Sequence, residues 1–92
     1  MTENGLRNRI MKYLDNVVEC FVYKTMGTGQ TKAGTPDLLI CYKGRFIAIE
    51  LKVRDNKPTK LQEYRLKEIR NAGGIADVAY SIIDVKNILH ID

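Results

Sequence analysis

Nowhere does this chain carry the roughly 18 consecutive apolar residues that a membrane-spanning helix needs, so no membrane span is expected. It also shows no basic-then-apolar leader for export. Its two cysteines, Cys20 and Cys41, form neither a CxxC nor a Cys/His pattern, which argues against zinc. Two isolated thiols in a chain without a leader suit a reducing cytoplasm, and that is the expected location. The one histidine, His90, lies near the end of the chain with no carboxylate or nucleophile placed beside it by the sequence, so it reads as incidental. Gly27, Gly29 and Gly34 precede neither a Lys-Ser/Thr pair nor a helix in the required way, which excludes a Walker loop and a dinucleotide fingerprint. Internal repeats and low-complexity tracts are absent.

What is present is the composition of a folded protein. With 92 residues, 45% hydrophobic and 28% charged, there is room for one domain, residues 1–92, around one modest core. The formal net charge is +4, a balance that suits a polyanionic partner without demanding one.

The richest stretch runs from Thr35 to Lys52. Two apolar runs, Leu38 to Tyr42 and Phe46 to Val53, flank Lys43-Gly44, which is a hairpin signal. If Tyr42 pairs with Arg45, then Cys41 meets Phe46, Leu39 meets Ala48 and Asp37 meets Glu50. Asp37, Glu50 and Lys52 then share one face, while Ile47, Ile49 and Leu51 point the other way into a core. Opposed carboxylates with Cβ atoms about 5 Å apart repel by roughly 3 kcal/mol at an effective dielectric of about 20. Lys52 offsets part of that. A divalent cation would satisfy both carboxylates at once, and hard oxygen ligands suit magnesium or manganese. A bulge at Gly44 would shift the register by one residue and separate the pair.

Elsewhere, Leu6, Ile10, Leu14 and Val17 recur at helical spacing, predicting an amphipathic helix over about Glu3 to Asn16 capped by Thr2 or Asn4. Glu3, on the edge of that stripe, either leans toward the sheet or complements the helix dipole. Cys20 to Tyr23 reads as a short strand. The segment Lys24 to Gly34, with Lys24 and Lys32, is a basic loop that either contacts phosphates or simply connects. Arg54 to Pro58 is a polar turn, and Thr59 to Gln62 matches a capping box for a helix ending before Gly73-Gly74. Gln62 either only caps that helix or also faces the site. Lys60, Arg65, Lys67 and Arg70 on this helix either track a nucleic-acid backbone or solvate the helix. Ile75 to Tyr80 is a strand, and Ser81 to about Leu89 a short helix. The order predicts an α/β protein, αβββαβ with a short C-terminal helix, built on a central mixed β-sheet flanked by helices.

Gly34-Thr35-Pro36-Asp37, then Ile49-Glu50-Leu51-Lys52, then Gln62 resembles the VRR-Nuc family of the PD-(D/E)XK nuclease superfamily over almost the whole chain. The resemblance implies a restriction-endonuclease-like core and a metal-dependent endonuclease. It implies that Asp37, Glu50 and the Leu51 carbonyl hold magnesium or manganese, with Glu3 binding directly or through water. Lys52 would orient the attacking water and stabilise phosphate charge, and Gln62 would position water or substrate. Lys24, Lys32 and Lys60 are the expected nucleic-acid contacts. The resemblance further implies a homodimer acting on branched DNA, such as junctions or flaps, in replication, recombination or repair, in a bacterial cell or a phage host. The competing reading is a non-catalytic nucleic-acid-binding or protein-interaction module that keeps the fold.

Overall fold

The computed structural model describes residues 1–25 and 31–91. Gly27 and Gly29 of the basic loop therefore lie outside the described residues. Thr2, extended at φ −87°, accepts a hydrogen bond from Gly5 N–H at 3.0 Å and starts helix α1 (Glu3–Leu14). The helix ends two residues before the expected Asn16. Asn16 N–H turns to the Tyr13 carbonyl and Val17 N–H to that of Leu14, tightening the last turn.

Strand β1 (Cys20–Lys24) follows, then β2 (Leu38–Tyr42) and β3 (Arg45–Leu51). Lys43 and Gly44 both have positive φ, 51° and 79°, the backbone of a type I′ turn. That turn fixes the expected register, with Tyr42 opposite Arg45, Cys41 opposite Phe46 and Leu39 opposite Ala48. No bulge intervenes between them. Helix α2 (Lys60–Asn71) opens with both halves of the capping box made, Thr59 to Gln62 N–H and Gln62 to Thr59 N–H. Gly73, at φ 97°, supplies the left-handed residue after it, and β4 (Ile75–Ala79) and α3 (Ile82–Leu89) complete the chain.

The sheet runs in the order β1-β2-β3-β4, antiparallel except for the parallel β3–β4 pair, so it is mixed as expected. Both its faces are packed. On one, Leu38, Ile40, Tyr42, Ile47, Ile49 and Leu51 meet Leu6, Ile10 and Leu14 of α1 and Val85 and Leu89 of α3. Burying each such leucine or isoleucine contributes about 1.5–3 kcal/mol. On the other, small Ala48 and Ala76 let α2 settle close through Leu66 and Ile69. That helix packs on β3 and β4 and leaves the β1 end of the face bare, where Phe21 and Tyr23 are exposed, as is Phe46 at the start of β3.

Candidate metal centre

The turn before β2 is set by close packing. Gly34 has φ 81°, and a Cβ there would lie 2.7 Å from Leu61 Cγ, so only glycine lets the turn rest on the first turn of α2. Arg65 Nε donates to the Ala33 carbonyl at 2.9 Å, and Pro36 is buried. From the other side Thr25 Oγ1 donates to the Pro36 carbonyl at 2.7 Å, and Thr25 N–H to the Asp37 carbonyl at 3.0 Å. The Pro-Asp step is thereby held between β1 and α2.

Asp37 differs from the expectation in one respect. The β2–β3 ladder stops at Leu38 opposite Ile49, and the Asp37 carboxylate, instead of merely facing Glu50 across the ladder, accepts the Leu51 N–H at 2.8 Å. It still ends beside Glu50. Carboxylate oxygens of Glu3, Asp37 and Glu50 all lie within 4.8 Å of one another, so α1, the turn before β2, and β3 each deliver one acid to one point. Glu3 and Asp37 are half-buried; Glu50 is 1% exposed.

That burial is costly for a charge. Burial pushes the Glu50 carboxyl up to about 8, the Asp37 carboxylate adds to the rise by its charge and by hydrogen bonding, Lys52 pulls the other way, and Glu3 adds a little. Lys52 Nζ sits 3.8 Å from Glu50 Oε2, and its side chain is largely buried. Glu50 Oε1 has no hydrogen-bond partner among the described residues. A buried oxygen left without a partner inside a ring of acids is what a hard cation would satisfy, so these residues fit magnesium or manganese.

The other expected residues are less concentrated. Leu51 meets the Asp37 carboxylate through its N–H, whereas the expectation concerned its carbonyl. Gln62 is half-buried, and its recorded hydrogen bonds are those of the capping box. Lys24 closes β1, and Lys24, Lys32 and Lys60 are all exposed.

Two solved structures share this architecture. One, described as a VRR_NUC domain protein, superposes with a TM-score of 0.79 at 22% identity over 98% of this chain and 86% of its own. Another, described as a VRR_NUC domain, gives 0.75 at 22% identity over 96% and 94%. This chain has the VRR_NUC fold. No family sequence model matches it, and neither does any curated protein.

Within this VRR_NUC fold three supporting residues escape a reading of the sequence. Thr25 lies too far along the chain from Pro36 for local patterning to connect them, and Arg65 looks like ordinary helix decoration. Arg7 is 5% exposed, donates to Asn4 Oδ1, and keeps an Nε without a partner among the described residues. The polar side chain beside Leu6 gave no hint of that burial.

Proposed function

We propose that this chain, as a single domain spanning residues 1–92, is a metal-dependent DNA endonuclease. The observation that carries the reading is the convergence of Glu3, Asp37 and Glu50, with an unpartnered Glu50 oxygen and Lys52 alongside. The fold shared with proteins named for the VRR_NUC domain supports it.

Magnesium or manganese, when bound, supplies a water of lowered pKa and neutralises phosphate charge. Glu3, Asp37, Glu50 and the Leu51 carbonyl are the groups assigned to hold it. Leu51 N–H keeps one Asp37 oxygen occupied and so fixes which way the carboxylate turns. The Lys52 ammonium, next to Glu50, is positioned to orient the nucleophilic water and to donate to a phosphate oxygen as negative charge builds. Gln62 is the residue assigned to position water or substrate, and Lys24, Lys32 and Lys60 those assigned to contact the strand. In-line attack on a phosphodiester would leave a 5′-phosphate and a 3′-hydroxyl.

The finer reading is a homodimer selective for branched DNA, junctions or flaps, acting in the reducing cytoplasm during replication, recombination or repair. Shape selection by two sites at a set spacing is the simplest route to such selectivity. A pure binding module would gain nothing from three converging carboxylates, which repel phosphate.

The test is cleavage of branched and linear DNA with magnesium, manganese or a chelator, for wild type, Glu50→Ala and Lys52→Ala. Cutting that depends on the metal and is lost in both variants supports the reading. Cutting in chelator, or undiminished cutting by Lys52→Ala, overturns the mechanism.

A further inference from the structure

Helix α2 and the edge strand β4 leave a groove between them of about 680 Å³. Lys60, Tyr64, Lys67 and Arg70 form its wall, and their spacing of three or four residues stacks them along one side of the helix. All four are exposed, Tyr64 by 55%. The floor is apolar, made by Leu66 and Val78.

This groove runs into the carboxylate cluster. In the parallel β3–β4 ladder Val78 is the partner of Glu50, and residues paired in register turn their side chains to the same face of a sheet. Val78 packs with Leu66 against Ala48 and Ala76, on the face that Glu50 shares. The floor therefore ends one strand spacing, about 4.8 Å, from the backbone of Glu50. At its Lys60 end the groove adjoins the turn that carries Asp37, because Gly34 packs on Leu61. At the other end Arg70 Nε donates to the Ala76 carbonyl at 2.8 Å. Between Lys60 and Arg70 the helix rises about 15 Å, the length of a few nucleotides.

The lining selects the ligand. Three cations against Glu63 attract a polyanion, and Arg70 and Asp77, 3.8 Å apart and both half-exposed, pair too weakly to cancel that attraction. A duplex would bring phosphates to the wall and leave the apolar floor and the Tyr64 ring unused. A single strand brings phosphates and base faces together, and bases stack on exposed aromatic rings with little regard to sequence. The ring is also braced. Arg65, which does not line the groove, stands 5.4 Å from the ring centroid and is tied to the Ala33 carbonyl and to Glu68.

We propose that this groove receives a single-stranded segment of DNA, with its phosphates on Lys60, Lys67 and Arg70 and a base stacked on Tyr64. The proposal deepens the nuclease reading and rests on it for its purpose, since a strand held here is delivered beside Glu50. Selectivity for branched DNA then comes from the unpaired arm, which a blunt duplex does not have.

Fluorescence anisotropy in chelator tests the groove without any cutting, using labelled oligothymidylate and a blunt duplex with the same number of phosphates. Wild type is expected to bind the single strand. Tyr64→Ala is expected to weaken that binding about tenfold, with unchanged circular dichroism and unchanged affinity for the duplex, while Tyr64→Phe binds as wild type. Lys67→Gln is expected to lower the salt dependence of single-strand binding by about 0.7 in log–log slope, the share of one phosphate contact. Lys12→Gln, an exposed lysine of α1 that does not line the groove, is expected to leave that slope as it is. A wild type that fails to bind the single strand, a Tyr64→Ala variant that weakens neither ligand or both alike, or equal slopes for the two lysine variants would each overturn the proposal. Metal-dependent cleavage alongside any of those results would leave the nuclease reading standing. The expected binding in a protein that cuts nothing would keep the groove and sink the nuclease.

Discussion

Leu51 N–H donates to Asp37 Oδ2 at 2.8 Å, which ties the start of one strand to the end of its neighbour through a side chain rather than through the ladder. Asp37→Asn keeps an acceptor for that N–H and should fold with a melting temperature close to wild type while cleavage falls by two orders of magnitude or more. Asp37→Ala leaves a buried donor unmet and should cost about 1–3 kcal/mol in chemical denaturation as well. Equal stability of the two variants would show that the bond does not matter to folding.

The high Glu50 pKa makes stability depend on pH in a defined direction. Folding favours the protonated carboxyl, because its folded value, about 8, lies above the ordinary 4.5. The stability this group confers is whole below about pH 4.5 and is lost as pH rises through 8. In chelator, the melting temperature should therefore fall across that window more steeply for wild type than for Glu50→Gln. Added magnesium should restore it at the alkaline end, with proton release measurable by calorimetry in buffers of different ionisation heat.

Lys52 lies 3.8 Å from Glu50 and draws its pKa down. Lys52→Ala should lower cleavage about 10²–10⁴-fold. Metal binding, measured by titration calorimetry, should persist, and its pH midpoint should move upward. A parallel loss of metal binding would assign Lys52 a structural role instead.

Gln62 can be separated from its own capping duty. Gln62→Glu retains an acceptor for Thr59 N–H and should leave thermal stability nearly unchanged. If the side chain also positions substrate or water, cleavage falls. Equal cleavage would confine Gln62 to the cap.

Gly34→Ala combines φ 81° with a Cβ 2.7 Å from Leu61 Cγ. It should destabilise the protein by about 1–3 kcal/mol in urea. Because the same turn carries Asp37, activity per folded molecule should drop too.

Much of this arrangement was legible in the chain. The Lys43-Gly44 turn set the register, the period-two pattern separated Ile47, Ile49 and Leu51 from Ala48 and Glu50, and Thr59 to Gln62 marked the start of α2. Patterning placed Glu3 on a helix, and only the family resemblance put it with Asp37 and Glu50, since the angle at which α1 meets the sheet depends on tertiary packing. The Asp37–Leu51 bond escaped for a related reason. Pairing arithmetic extends a ladder indefinitely, while real strands diverge at their ends. Thr25 and Arg65 buttress the motif across 11 and 32 residues of chain, beyond any local pattern.

The unpartnered oxygen of Glu50 also bears on how this protein would evolve in the laboratory. A library selected for heat resistance without divalent ions would be enriched in replacements at Glu50, because neutral side chains of similar size escape its burial cost. Selection for catalysis would purge those same replacements. The position should thus divide the two regimes more sharply than any surface residue, and sequencing both populations would show it.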